Sequence, residues 1–480
     1  MECPECGKGF SSRLAKKAGN YFVHIPIADQ IKDLSESDII ENNMLPQIPS
    51  GLKDVVNGSV YKINPVLRQD LSAISITSNF DGVPIHKSSN ASVWPILATI
   101  NELTLKARKE HMLMLGVWCG PTKPLWSTFS APFVDDLLAA STSGTNWVDS
   151  SGRTQNTRVT PLLVVCDAPA RCMVQSLQRF NGEHGCTWCL QKDTVVQRGN
   201  GTARIYPFKR DVPVRTHSGL VRDAKTVLET GAEHHLRVIG FSRLFMLSSS
   251  PFIKLDMVGS FAADYMHIVL LGVTRQVASL WLDPTKSDKD FSLRTQIPTL
   301  DAQLSKFRPP DSVSRLPRPI SQACRWKASE WRNWLLFYSL PLLRGMLPGK
   351  YLSHWMLLVG AIYLLETDVS GGCLTAERSL EMFVSQFAGL YGMEHMTYNV
   401  HCLLHLGATV RRCGPLWACS MFAFEGYNQA VIKFCTGPTH VSLQVAKTFL
   451  IFRMTQAKPS RQVKMSVSVE EARADNLIEQ

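Results

Sequence analysis

The sequence has no apolar run long enough to cross a bilayer. Its longest such stretches, 334–343 and 355–365, are interrupted or too short and read as core helices. No signal-peptide pattern precedes the cysteines, which number 13, an odd count spread along 480 residues. These absences exclude a disulfide-framed secreted scaffold and a membrane protein. They point to a reducing compartment, with thiols either buried or on metal. No periodic repeat stands out. Charge is sparse: 19% of residues are charged and 45% hydrophobic, as in a folded chain rather than a disordered one. The shortfall is in acids, with 40 Asp and Glu against 51 Lys and Arg, so a net charge of +11 mildly favours a polyanionic partner. The length fits two to four domains, or one core carrying a large insertion.

The N-terminus lacks a complete metal module. Cys3 and Cys6 have finger-like spacing and Phe10 follows where a finger wants an apolar residue, but His24 is the only nearby histidine. A degenerate knuckle and no site at all both remain open. Residues 25–70, with Pro46, Pro49, Gly51, Gly58 and Pro65, read as a poorly periodic lead-in.

From Leu71 the pattern sharpens. LSAISITSNF reads as a strand ending at Asp81, and ASVWPILATI and HMLMLGVWCG follow as extended segments. Phe133 to Ala140 fits a helix. Pro161 to Cys166, PLLVVC, is a continuous apolar run of buried-strand type that ends at Asp167, and Ala170 to Phe180 continues as a helix. This is an α/β pattern with a carboxylate at the end of its first and fourth strands. If those strands are neighbours, Asp81 and Asp167 meet and repel unless a cation lies between them; Mg²⁺, which prefers oxygen ligands, suits that position. Two aspartates that merely shape turns would give the same local pattern.

Next comes NGEHGCTWCL, with Cys186 and Cys189 in a tight C-x-x-C and His184 close by. Alone, such a pair is redox, structural or accidental. Two further ligands are available far downstream: His401 and His405 in NVHCLLHLG stand at i,i+4, a spacing that points both imidazoles the same way. Between these pairs the span 200–400 is mostly helical. Lys254 to Leu282 reads as one helical stretch in which Asp264 and His267 stand at i,i+3, either as a buried hydrogen-bonded pair or as a histidine oriented by an acid. The segment from Lys306 to Arg332 is basic and proline-punctuated; Arg315, Arg318, Arg325 and Lys327 could lie along a phosphate backbone or simply face solvent. Arg411 to Lys433 then places one carboxylate, Glu425, among apolar and aromatic residues.

Six blocks in this order, ITSNFDGVPIHKSSNASVWPI, VVCDAPAR, GCTWCL, DYMHIVLLGV, RLPRPI with WKASEWRNWLLFYSLPLL, and HCLLHLG with GPLWACSMFAFEGYN, resemble transposases of the CACTA (EnSpm) type and proteins derived from them. The resemblance spans residues 70–455. It implies an RNase H-like mixed sheet core with a DDE/D site, interrupted by a large, mostly helical insertion. The implied boundaries are a lead-in over 1–70, the first part of the core over 71–200, the insertion over 201–400, the return over 401–460 and a soft terminus over 461–480. It implies Asp81 and Asp167 as the first two acids and matches Asp264 and His267 to a D-x-x-H signature. Glu425 and Glu330 compete as the third acid. The catalytic subunit of the antigen-receptor gene recombinase, a distant relative of such enzymes, closes a zinc site with two cysteines after its second acid and two histidines before its third. That order favours Glu425, with Cys186, Cys189, His401 and His405 on structural Zn²⁺. The implied activity is Mg²⁺- or Mn²⁺-dependent strand cleavage and strand transfer on double-stranded DNA, at transposon ends, by a nuclear homo-oligomer with no membrane association. His86 and Lys87 are further backbone-contact candidates, and a decayed descendant serving as an inactive DNA-binding or protein-interaction scaffold is the alternative.

Overall fold

The computed structural model describes residues 21–46, 50–85, 91–250, 253–310, 313, 315–367, 369, 371–456 and 468–471. Cys3, Cys6, Phe10, His86 and Lys87 lie outside them. The protein is α/β. Three strands, β2 (Ile74–Phe80), β4 (Ser92–Ile100) and β5 (Leu113–Gly120), form an antiparallel meander, and the short β3 (Val83–Pro84) sits beside β4. Phe80 faces Ile96, and Trp94 faces Trp118. After a small hairpin, β6 (Thr145–Val148) and β7 (Thr154–Thr157), the chain enters β8 (Val159–Val165), which joins β2 in parallel with Ile74 beside Val159 and Asn79 beside Val165. A parallel neighbour requires a crossover; helix Ala131–Thr142 supplies part of it and packs against β8. Every residue of β2 and β8 is buried, so their near-continuous apolar sequence reflects cover on both faces.

The lead-in is more ordered than its sequence suggests. Tyr21–His24 (β1) pairs antiparallel with β5, Phe22 facing Trp118, and helix Ile27–Glu36 packs on that side of the molecule. The strand escaped notice because YFVH is too short to show a period, although all four of its residues are buried. The terminal segment Ser468–Glu471 forms the last strand of the sheet, adding to β1 to complete a mixed order in which β1, β5, β4, β2 and β8 follow one another. Helices Phe422–Lys433 and Val441–Gln456 return to this sheet, the first against β4 and the second against β5 and β1.

Two expected helices are shorter than their sequence patterns. The one from Ala170 ends at Val174, because Leu177 pairs with Val238 and the turn at Ser176 adopts φ +53°. In the 254–282 stretch only 266–282 is helical. Its first part instead runs beside the open edge of β8, where Ser260 C=O accepts from Val164 N–H at 2.8 Å and Val164 C=O accepts from Ala262 N–H at 3.1 Å. An unsatisfied strand edge takes the backbone bonds that a helix would otherwise have used.

The middle of the chain is mostly helical, with a hairpin at Thr194–Arg198 and Gly201–Ile205. Its centre is the helix pair Gly349–Glu366 and Gly372–Tyr391. Trp355 is fully buried there, its ring 5.0 Å from that of Trp281 and its indole N–H donating to Ser339 Oγ at 2.9 Å. Trp355→Ala is expected to lower unfolding free energy by about 3–5 kcal/mol in a denaturant titration, the usual cost of emptying a large core site. No described helix is long and apolar enough to cross a membrane.

Candidate functional site

Because β2 and β8 run parallel as neighbours, both chains leave the sheet at the same end, and each does so on an aspartate. Asp81 follows Phe80, and Asp167 follows Val165 and Cys166. The two exits are pinned together by Asn79, whose Nδ2 donates to Val165 C=O at 2.8 Å. Asp167 also shapes its turn: Oδ1 accepts from Ala170 N–H at 2.7 Å and caps helix Ala168–Val174. Turn-former and site acid are therefore compatible roles, since its charge still acts on Asp81.

The third carboxylate arrives on helix Phe422–Lys433. Glu425 lies in its first turn, and Asn428, one turn on, offers Nδ2 to Asp81 Oδ2 at 3.4 Å. Asn428 is fully buried. It was missed in the sequence because a lone amide carries no motif; its i+3 offset from Glu425, on the same helix face, was the available signal. Burial, reinforced by the charges of Asp167 and Glu425 and opposed by His267, pushes the Asp81 carboxyl up to about 7. Burial likewise raises Glu425, against the lowering influence of His267 and Lys327.

Asp264 ties the group together. Its buried Oδ2 accepts from both His267 N–H (3.0 Å) and His267 Nδ1 (2.7 Å), while Oδ1 accepts from Met421 N–H at 3.0 Å, immediately before the Glu425 helix. With Nδ1 bonded to Asp264, Nε2 is the free nitrogen. Burial disfavours the His267 cation, but the Asp264 bond and the charges of Asp264, Asp167 and Glu425 outweigh it and raise the imidazole to about 9. His267 stands in a π-helical segment, Met266–Thr274, a wound-out geometry that often marks functional positions.

Glu330 is placed differently. Arg318 grips it with Nε to Oε1 at 2.5 Å and Nη2 to Oε2 at 2.6 Å, and Lys327 N–H adds a third bond at 2.8 Å. Burial works against its ionised form, but Arg318 keeps its titration below the ordinary range. The same contact corrects the reading of Arg318 as a phosphate contact: its guanidinium is committed to Glu330 and to Arg325 C=O. Arg315, Arg325 and Lys327 are exposed.

Cys186, Cys189, His401 and His405 meet across more than two hundred residues of chain, with one ligand atom from each lying within 4.8 Å of all the others. Cys186 Sγ is 3.3 Å from His405 Nε2, Cys189 Sγ is 3.3 Å from His401 Nε2, and the two Nε2 atoms are 3.3 Å apart. The histidines remain aligned although the helix Tyr398–Cys402 tightens into a 3₁₀ turn over Leu403–His405. Two thiols and two imidazoles, largely buried, form a donor set that could hold a metal such as zinc. The support around them is built: Arg215 Nε donates to the carbonyls of Cys186 and Cys189, both at 3.1 Å, and Tyr206 stacks on His401. Trp188, between the cysteines, lies under the fully buried Arg171 guanidinium at 4.3 Å; Arg171 also donates to Cys166 C=O, so the thiol loop is coupled to the strand end that carries Asp167. His184 bonds Leu190 C=O and is outside the cluster. Among the described residues no other set of three His, Cys, Asp or Glu is this tight, so Asp81, Asp167 and Glu425 are electrostatic neighbours at longer range. His24 lies buried on β1, with Nε2 3.4 Å from Asp136 Oδ2.

Gly82 fixes the first acid. A methyl there would overlap the indole of Trp94, and the Gly82 N–H bonds the Asp81 carboxylate. Gly82→Ala should therefore lower stability by about 1–3 kcal/mol in a denaturant titration, as overpacking does. Comparison with known proteins finds no family model and no curated protein that matches the chain.

Proposed function

We propose that the protein is a DDE/D-type phosphoryl-transfer enzyme acting on double-stranded DNA, with an RNase H-like core of the kind its sequence motifs resemble in CACTA-type transposases. The observation that carries this reading is the shared electrostatic neighbourhood of Asp81, Asp167, Glu425 and His267, built at the exits of two parallel strands and on one returning helix. The core supports it: a three-strand antiparallel meander, a crossover, a fourth strand parallel to the first, and Ser260–Ala262 beside that strand.

An oxygen-only set of three half-buried acids, one raised to about 7 by burial and by the charges of the other two, suits Mg²⁺ or Mn²⁺. Asp81, Asp167 and Glu425 would hold it, and the bound ions would supply an activated water and charge stabilisation at the leaving oxygen. Asp264 orients His267 so that Nε2, protonated at neutral pH, can donate to a phosphate oxygen at the scissile position. Asn428 and Asn79 hold Asp81 and the two strand exits in register. Arg315, Arg325 and Lys327 would contact the DNA backbone, so binding should weaken with salt. The Cys186–Cys189–His401–His405 cluster, loaded with Zn²⁺, would return the chain from the insertion to the sheet just before Glu425. Nuclear location and a homo-oligomeric active form belong to this reading.

The test is Mg²⁺- or Mn²⁺-dependent nicking of DNA by the full chain beside Asp167→Asn. A loss of about a hundredfold or more is expected. Equal nicking by both proteins would sink the mechanism, and DNA binding without nicking by the unaltered chain would favour the scaffold alternative.

A further inference from the structure

Between helix Arg275–Leu282 and the 3₁₀ turns Arg294–Gln296 and Ile320–Arg325 lies a cavity of about 800 Å³, within the size range of small-molecule pockets. One wall is a single helix face: Arg275, Ser279 and Leu282 stand at i, i+4 and i+7, about two turns beyond His267. The other walls are pinned. Leu293 N–H donates to Trp281 C=O at 2.8 Å, which holds the Arg294 turn against that helix. Asp301 Oδ1 accepts from Ile320 N–H at 2.5 Å and Ser321 N–H at 3.3 Å, which fixes the start of the second turn. The cavity is therefore built by packed elements.

Its lining says what it would hold. Arg275 and Arg294 are both exposed, and neither guanidinium has a hydrogen-bond or ion-pair partner among the described residues. The one acid among the described lining residues, Asp283, has Oδ1 occupied by the N–H and hydroxyl of Thr285, each at 2.8 Å, so positive charge is in excess. Trp331, also in the wall, is 1% exposed, and its indole N–H is shielded from solvent without an acceptor. Two unpaired guanidinium forks and a buried donor suit an acceptor-rich anion, and phosphate matches that fork geometry. Leu282, Ile297, Pro298, Ile320 and Ala323 complete the lining with apolar surface, which a phosphate alone would leave uncovered.

We propose that this cavity is a binding site for a small organic phosphate of nucleoside-diphosphate size. Its phosphates bridge Arg275 and Arg294, and its organic body lies on the apolar walls beside Trp331. The site is separate from the acid group and stands whether or not that group cleaves DNA. A duplex backbone presents the same phosphate charge but little apolar surface to set against those walls, so the lining favours the small molecule, and the two sources are separated below.

The experiment measures binding by the full chain without added Mg²⁺ or Mn²⁺. ADP is titrated by equilibrium dialysis, and alkylation of Cys324, an exposed thiol in the cavity lining, is followed by peptide-resolved mass spectrometry. Saturable ADP binding that slows Cys324 alkylation is expected, with inorganic pyrophosphate weaker because it lacks the organic body. Arg275→Ala and Arg294→Ala should each weaken ADP binding by roughly tenfold or more, the worth of a charge-assisted hydrogen bond. Arg198→Ala, which removes an exposed arginine from a different cavity, should leave it unchanged, as should Asp167→Asn. Absence of saturable ADP binding, or unchanged binding in both arginine variants, would overturn the site. An equal loss with Arg198→Ala would reduce it to general charge attraction and overturn it as well. Pyrophosphate binding as tightly as ADP would overturn the organic body. Protection of Cys324 by duplex DNA as strong as that by ADP would assign the two arginines to a DNA path instead.

Discussion

Cys186→Ser is expected to yield protein with no stoichiometric zinc and a sharply lower melting temperature, or no soluble protein at all. The four donors come from two short segments separated by more than two hundred residues, and each segment is already fixed by its own neighbours: Arg215 at the cysteine loop, Tyr206 stacked on His401. A metal that binds only the folded arrangement adds its binding free energy to folding, of order 10 kcal/mol for structural zinc at neutral pH. Removing one thiolate forfeits most of that, and it loosens the path that delivers Glu425 to the sheet. The check is metal content by elemental analysis together with a thermal melt, before and after chelation. Cys324→Ser is the control, because that thiol is exposed and outside the cluster. Full zinc retention in Cys186→Ser, or a melt unaffected by chelator, would remove the clamp from the account.

The parts of the fold visible in the sequence are those where local pattern and burial agree. β2, β4, β5 and β8 were legible because β-branched and apolar runs of 7–9 residues are what a sheet covered on both faces demands. Asp81, Asp167, Cys186 and Cys189 followed from their places beside such runs. What stayed hidden depends on contacts distant in sequence. The four residues of β1 gain their strand only from the edge of β5, and Ser260–Ala262 abandons a helical pattern for the edge of β8. The hairpin at Thr194–Ile205 is mostly exposed, so it lacks the alternation that would announce it. The π-helical segment at Met266–Thr274 is apolar on nearly every side, and a pattern without a face cannot reveal its own winding. Arg318 looked like a phosphate contact because its partner, Glu330, stands twelve residues away, beyond the 3₁₀ helix Ile320–Arg325.

The two candidate third acids make opposite predictions, and this separates them more cleanly than activity alone. Glu425→Gln should reduce metal-dependent nicking by about two to three orders of magnitude, the scale of losing one preorganised charge at a reacting centre. Without divalent metal its stability should be equal or higher. The sign follows from the geometry: Glu425 is pushed above its ordinary titration range first by burial and also by Asp264 and Asp167, so its ionised form is disfavoured in the fold above that range, and the neutral amide removes this penalty. Glu330→Gln should behave in reverse. Its carboxylate holds the Arg318 fork and the Lys327 N–H, so the amide leaves a guanidinium poorly matched beside a buried side chain and lowers the denaturation midpoint. Nicking should persist, because those bonds turn the Glu330 carboxylate toward the basic turn at 315–327. Side-by-side nicking assays and denaturant titrations of both variants decide the matter. Loss of nicking with Glu330→Gln and its retention with Glu425→Gln would move the third acid to helix Ala328–Asn333, and helix Phe422–Lys433 would then be only a support for Asp81 through Asn428.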